Sequence, residues 1–202
     1  MRKLKFYALL LAMVLSSSHT PRNEERIKEL VAQEIKNMMF LPESYDPIKI
    51  QIDSAFFNID NPELFSLYSS MVDKDAEYQG LESSIKEQKK QVDFWKGWDH
   101  QKEEKQTLQE MLTRRDSLDA EMNRLADRIK EIYNQPNTFH GYKVHHSFRA
   151  KDNDGRVSIE NIYLIVKPEI DGCFYLISES DPVYIKTMTV RANVEKQLGI
   201  KR

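Results

Sequence analysis

The chain has 202 residues, with 30 Lys and Arg against 32 Asp and Glu, so its formal net charge at pH 7 is −2. A mildly acidic chain with interspersed charges is a poor nucleic-acid binder, and we expect no nucleic-acid partner. The single cysteine, Cys173, excludes an intramolecular disulfide, so an exported form depends on its hydrophobic core. Its apolar surroundings favour a buried structural thiol over a nucleophile.

The first twenty residues have the three-part pattern of a secretory signal peptide. Arg2, Lys3 and Lys5 precede an apolar run from Phe6 to Leu15, and small polar residues follow it. The run is too short for a membrane span. We therefore expect residues 1–20 to be cleaved and the mature protein to be periplasmic, secreted or part of the cell envelope. The alternative is an uncleaved anchor, the only expected contact with a membrane.

A helix followed by a strand is predicted before residue 60. Residues 22–39 repeat apolar side chains at steps of three and four, with Asn23 as a plausible N-cap and Pro42 as the stop. The pattern then switches to a period of two, which is typical of a half-buried strand. Its alternating apolar residues are Ile48, Ile50 and Ile52.

The stretch between Pro62 and Pro136 predicts two long helices folded back on each other. It contains no proline and only two glycines. Each half carries a stripe of mostly apolar residues that recurs every ~3.5 residues, as in a coiled coil. The stripes run from Leu67 to Trp95 and from Leu108 to Ile132. A short turn between them favours an antiparallel helical hairpin.

A fold-back near residue 100 matches the two stripes, pairing Tyr78 with Met122, and places the turn at Gly97–His100. Trp95 fits the first stripe, whereas Trp98 fits no stripe position. An exposed tryptophan is often a contact anchor. The alternative is that Trp98 folds over the turn as a hydrophobic plug, and the sequence leaves both open.

Three further strands are predicted after the hairpin, at His140–Ala150, Val157–Lys167 and Cys173–Ser178, with a turn signal at Asn153–Gly155. Residues 181–202 fit either an extension of the sheet or a short terminal helix, and we favour the helix. In the first of these strands, one face holds Tyr142, Val144, His146 and Phe148, and the other holds Lys143, His145, Ser147 and Arg149.

This order of elements predicts an α+β protein. We expect an N-terminal helix packed on a four-stranded antiparallel sheet, a cystatin-like arrangement, with the helical hairpin inserted between strands 1 and 2. Residues 21–61 and 135–202 then form the α+β body, and residues 62–134 form the insertion. The likeness to cystatins is one of topology only, because their inhibitory Gln-x-Val-x-Gly loop is absent.

Two segments resemble an uncharacterised family of exported proteins from Bacteroides-like gut bacteria. The first is Pro42–Pro47 with the alternating strand and Asp53–Phe56 behind it, and the second is Gly141–Lys151 after the charged helical insert. The resemblance implies an exported α+β protein. It supplies no activity, so it assigns no functional residue.

No motif for catalysis or for metal binding stands out. His145 and His146 point to opposite faces of a strand, so they do not share an ion by simple pairing. No serine lies in a Gly-x-Ser-x-Gly elbow, and there is no phosphate-binding glycine loop. We therefore expect no enzyme activity, no metal and no cofactor.

Two functions compete. The first is a binding or structural module of the cell envelope that uses the helical hairpin, with Trp95 and Trp98 contacting a protein partner. The second is a small-ligand-binding or enzymatic domain that uses the concave sheet face, with Tyr142, His146 and Arg149 as binding residues. Self-association through the hairpin is a third possibility, and the sequence does not fix the oligomeric state.

Overall fold

The structure is a computed structural model that describes residues 21–197 and 199–200. The predicted signal peptide, residues 1–20, lies outside the described residues. The chain divides into two compact units. In the described part, the sheet unit consists of residues 21–60 and 137–181, and the helical unit consists of residues 61–136 together with residues 182–197, 199 and 200. Helices and an antiparallel sheet are both present, which confirms the α+β class.

The sheet unit contains one four-stranded antiparallel sheet, as predicted, and its strand order is β1-β2-β3-β4. The middle strands pair in register, with Val144 opposite both Ile52 and Leu164. The elements of this unit are α1 (Pro21–Met38), a 3-10 turn (Pro42–Ser44), β1 (Asp46–Phe56), α2 (Phe57–Asp60), β2 (Phe139–Lys151), β3 (Val157–Val166) and β4 (Cys173–Ser178).

The core of the sheet unit forms where α1 packs on one face of the sheet. Ile27, Val31 and Ile35 recur at helical spacing and are buried in one cluster with the inward-facing residues of β2 and β3. Along β2 the buried positions alternate as the sequence predicts. Each large apolar side chain that is fully buried contributes about 1.5–3 kcal/mol, so this cluster is the main source of stability in the unit.

The helical unit is built from α3 (Pro62–Phe94), α4 (Gln101–Tyr133) and α5 (Pro182–Gln197). Asn61 caps α3, because its Oδ1 atom accepts a hydrogen bond from the Glu63 backbone N–H at 2.9 Å, and Pro62 occupies the first turn. Every position of the two predicted stripes is buried or half-buried, whereas the positions between them are mostly exposed. The stripes therefore mark the faces on which α3 and α4 meet.

Hydrogen bonds join the two long helices at both ends of the pair. The Gln88 side chain donates to both the backbone carbonyl of Glu104, at 3.1 Å, and its carboxylate, at 2.5 Å. At the end opposite the turn, the Tyr68 hydroxyl donates to the Tyr133 oxygen at 3.4 Å. The two contacts correspond to a reversal about residues 96 and 100–101, close to the predicted fold-back near residue 100.

The terminal helix differs from the prediction in length and in location. It spans 16 residues, and it groups with α3 and α4 rather than with the sheet, where the sequence-based division had assigned residues 135–202. The apolar residues of α5 recur at helical spacing. They pack against the start of α3 and the end of α4, which are the ends far from the turn between these two helices. The buried residues of this cluster are Leu64, Tyr68, Ile129, Ile132 and Val194.

A buried polar network accompanies that cluster. The Tyr133 hydroxyl donates to the Glu195 carboxylate, which also accepts a 2.7 Å hydrogen bond from Arg191 Nε. The Tyr68 hydroxyl donates to the Tyr133 oxygen at 3.4 Å. Burial raises the pKa of both tyrosines, so they remain protonated donors. The network fixes α5 against the helix pair through charge-assisted bonds.

Candidate interaction site at the helix turn

The turn between α3 and α4 is fixed by backbone hydrogen bonds and one glycine. Trp95 N–H donates to the Gln91 carbonyl at 3.0 Å, which completes the last turn of α3. Gly97 then adopts φ +87°, a conformation that favours glycine, and the chain reverses. Trp98 N–H donates to the Trp95 carbonyl, and Gln101 N–H donates to the Trp98 carbonyl, each at 3.0 Å. The chain thus turns where the sequence predicts.

The start of α4 reinforces this geometry. Glu103 and Glu104 lie in its first turn, where the partial positive charge of the helix end favours carboxylates. His100 Nδ1 lies 3.4 Å from a Glu103 carboxylate oxygen. The Gln101 side chain donates to the Val92 carbonyl at 3.3 Å, which joins the two helix ends.

Four aromatic side chains gather at the turn, and we call Phe94, Trp95, Trp98 and His100 the tip cluster. Trp95 is half-buried, with its ring centroid 5.0 Å from that of Phe94 and 5.3 Å from that of His100. Phe94 and Trp98 are 72% and 69% exposed. Trp98 is therefore not folded over the turn as a plug. The predicted site did not include Phe94. Its position outside the apolar stripe of α3 was the sequence feature that indicated an exposed side chain.

Charges of both signs surround the tip cluster. Asp93, Lys96, Asp99 and Lys102 are all exposed. None of these four side chains has a hydrogen-bond or ion-pair partner among the residues that the structure describes. The exposed aromatic surface is thus bordered by carboxylates and ammonium groups that remain available to a partner.

Two residues of the competing sheet-face site, Tyr142 and His146, are each only 3% exposed and lie in the core beneath α1. The Tyr142 hydroxyl accepts a hydrogen bond from the Asn23 side chain at 3.3 Å. His146 Nδ1 donates to the Lys49 carbonyl at 2.7 Å, so Nε2 of the neutral ring accepts from the Tyr45 hydroxyl at 2.8 Å. Burial lowers the pKa of His146, which favours this neutral form.

The third residue of that site, Arg149, points to the opposite face of the sheet. It is exposed, and its Nη1 donates to an Asp46 carboxylate oxygen at 2.8 Å. The structure therefore places Tyr142 and His146 on one face of the sheet and Arg149 on the other. Because α1 packs against that face, the two buried residues serve the core.

The remaining chemically notable residue is Cys173, which is half-buried at the start of β4. Burial raises the pKa of its thiol to about 11. The thiol is therefore protonated near neutral pH, and a protonated thiol is a poor nucleophile.

Across residues 21–197 and 199–200, no three His, Cys, Asp or Glu side chains are grouped so that they could hold a metal ion. No helix in this part of the chain is long and apolar enough to cross a membrane.

The fold and the site define an α+β protein that carries a pair of long helices with an aromatic turn. No family model matches the chain, and no curated protein or solved structure is significantly similar to it.

Proposed function

We propose that this chain is a non-enzymatic exported protein that acts in the cell envelope by binding a protein partner through the tip cluster. The observation that carries the proposal is the exposure of Phe94 and Trp98, 72% and 69%, within one short hydrogen-bonded turn. Both tryptophans of the chain lie in this segment.

Single exposed apolar residues are common on protein surfaces, so exposure alone is weak support. Two large aromatic side chains in one turn are a stronger signal, because a few aromatic anchors supply most of the binding energy in protein interfaces, about 2 kcal/mol or more each. The turn is already fixed by its backbone bonds, which lowers the entropy lost when a partner is bound.

The charge pattern favours a protein over a polyanion. Nucleic acids and anionic lipid surfaces are recognised by clusters of Lys and Arg. The tip cluster is bordered instead by two acids, Asp93 and Asp99, and two lysines, Lys96 and Lys102. An aromatic centre with a mixed polar rim is the usual anatomy of a protein–protein interface.

Two finer features of architecture belong to this proposal. The first is that α3 and α4 form an antiparallel coiled coil, which is supported by the matched stripes and by ion pairs across the helices such as Arg128–Glu63 at 2.7 Å. The second is that the sheet unit is cystatin-like, with the helix pair inserted in the chain between β1 and β2. The order of elements supports it.

Export is proposed from residues 1–20, which have the composition of a signal peptide, and from the resemblance to exported proteins. Cleavage would leave a mature protein in the periplasm or outside the cell. Mass spectrometry of the protein recovered from its native host tests this step: a mature N-terminus near residue 20 is expected, and an intact Met1 in a cytosolic fraction would contradict it.

Affinity capture from envelope extract tests the binding step. The baits are the parent protein, the Phe94→Ala/Trp98→Ala double variant, and Phe40→Ala as a matched control, because Phe40 is an equally exposed aromatic residue of the sheet unit. We expect the double variant to lose at least about tenfold of the captured partner with an unchanged melting temperature, and the control to retain it. Equal capture by all three baits would refute the tip cluster as the contact.

A further inference from the structure

A second surface of the helical unit lies away from the turn, where α3 and α5 run side by side. The two helices border an apolar groove of about 340 Å³, lined by Val72 and Ala76 of α3 and by Ile185 and Val190 of α5. Ile185 is 54% exposed at the edge of this groove. We call this surface the α3/α5 groove.

One acid and one lysine also line the α3/α5 groove. Asp75 belongs to α3 and Lys186 to α5, and both are exposed. Neither side chain has a hydrogen-bond or ion-pair partner among the described residues. This contrasts with Glu77, two residues further along α3, whose carboxylate is 2.6 Å from Arg114. The groove thus combines an apolar floor with two unsatisfied charges of opposite sign, one on each helix.

Such a surface is complementary to itself. In a two-fold symmetric contact the same patch is used by both subunits, so residue i of one copy meets residue j of the other and the reverse contact also forms. In the α3/α5 groove, the carboxylate lies on one helix and the ammonium group on the other. In a two-fold contact, the carboxylate of each copy can therefore face the ammonium group of the other copy, which gives two charge pairs. We infer that a second copy of this chain docks on the α3/α5 groove, with Asp75 of each copy beside Lys186 of the other and Ile185 buried between them.

The alternatives fit the groove less well. Its volume is at the low end of the ~300–1,000 Å³ that small-molecule pockets occupy. Its two charges cancel, so it offers no net attraction to a charged ligand. In the dimer, burial of the apolar floor supplies affinity, while the two charge pairs fix the register and exclude other partners.

This inference does not depend on the proposed function, because none of the tip cluster residues lines the groove. If both hold, each dimer carries two tip clusters, and a partner with repeated binding sites is held by avidity without any new contact.

Sedimentation equilibrium of the full-length chain, with Asp75→Lys and Lys186→Asp as single charge reversals, tests the inference. We expect the parent to dimerise at concentrations below about 100 µM, and each reversal to raise the dissociation constant at least tenfold, roughly the effect of juxtaposing like charges. An equimolar mixture of the two variants should restore dimerisation to within about threefold of the parent. In the mixed dimer, the lysine introduced in one variant faces the aspartate introduced in the other, and the two native side chains face each other at the second contact.

The matched control uses Asp127→Lys and Lys130→Asp, two exposed positions of α4 that change the net charge by the same amounts. Neither control reversal should change the dissociation constant. Circular dichroism of each variant checks folding, which is not at risk at these exposed positions. A monomeric parent at about 100 µM, unchanged association of the groove variants, or equal weakening of association by the control reversals would each overturn the inference.

Discussion

The sheet unit gathers most of its buried apolar side chains into one cluster beneath α1, whereas the helical unit spreads them along two narrow stripes and one cluster at the end opposite the turn. In the middle of the helix pair only Ile85 and Leu118 are fully buried, and ion pairs such as Lys74–Glu121 at 2.7 Å flank the stripe. A polar residue of the sheet core, His146, has hydrogen-bond partners on both ring nitrogens.

The two units therefore differ in what their side chains are expected to contribute: those of the sheet unit to stability, and those of the helical unit to recognition. The sheet unit depends on dense packing, so truncation of its core should be costly. The helical unit keeps long solvated faces and an exposed aromatic turn, and surface ion pairs add only ~0–1 kcal/mol each. Substitutions on these faces should alter contacts with partners more than they alter folding.

The largest effect is expected from truncating the sheet core. Leu164 is fully buried in β3, and Leu164→Ala should lower the free energy of unfolding by about 2–5 kcal/mol because it leaves a cavity. Leu125 is a half-buried stripe residue of α4, and Leu125→Ala should cost roughly 1 kcal/mol. Urea unfolding of both variants gives the two values. Equal losses would show that the helix pair is packed as densely as the sheet core.

The exception within the helical unit is the polar network around Glu195. Glu195→Ala should destabilise the protein by roughly 3 kcal/mol, because it leaves Arg191 and the Tyr133 hydroxyl buried without their shared acceptor. The control is Glu110→Ala on an exposed face of α4, which should change stability by less than about 0.5 kcal/mol. Amide hydrogen exchange in α5 should accelerate in the first variant only. Unchanged exchange there would contradict the assignment of this network as the attachment of α5.

A Gly→Ala substitution should lower the stability at one position of the sheet unit and raise it at one position of the helical unit. A Cβ atom at Gly141, where φ is +144°, would lie 2.2 Å from the Val166 carbonyl oxygen, so Gly141→Ala should cost about 1–3 kcal/mol. Gly80 lies inside α3 with nothing within 4 Å of its added Cβ, and Gly80→Ala should stabilise by about 0.5–1 kcal/mol. Thermal unfolding of the two variants, compared with the parent, tests both signs. A stabilised Gly141→Ala would show that β2 and β3 do not approach so closely.

The smallest expected effect is a pH dependence that comes from the sheet core. Because burial lowers the pKa of His146, the unfolded chain binds a proton more readily than the folded protein does. The stability contributed by the neutral ring is present above its ordinary pKa of 6.5 and is lost as the pH falls below that value. The parent should therefore lose more stability than His146→Gln when urea unfolding at pH 7.5 is compared with urea unfolding at pH 5.5. Parallel losses in both proteins would contradict a buried neutral His146.

Periodicity in the sequence was sufficient to predict α1, α3, α4 and the four strands, whereas it left residues 181–202 open between a strand and a helix. The stripes from Leu67 to Ile132 locate α3 and α4, and alternation along β2 assigns each of its side chains to a face. Periodicity does not say which apolar surfaces meet. Val190 and Val194 predict a helix, but only the tertiary structure shows that α5 packs on the helix pair.

The candidate site was predictable to a lesser degree. Both tryptophans and the position of the turn follow from the sequence, but the exposure of Phe94 depends on the residue at which α3 ends. For the sheet-face site, alternation already separated Arg149 from Tyr142 and His146. The depth at which those two residues are buried required the position of α1.

The most direct test of the central claim is photo-crosslinking in intact cells of the native host. A benzophenone amino acid would replace Trp98 in one variant and Phe40 in the other, the equally exposed aromatic residue of the sheet unit. Recognition through the tip cluster predicts one discrete protein adduct from position 98, lost when Phe94→Ala is added, and none from position 40. The same adducts from both positions, or none from position 98 in cells that export the protein, would contradict recognition through the tip cluster.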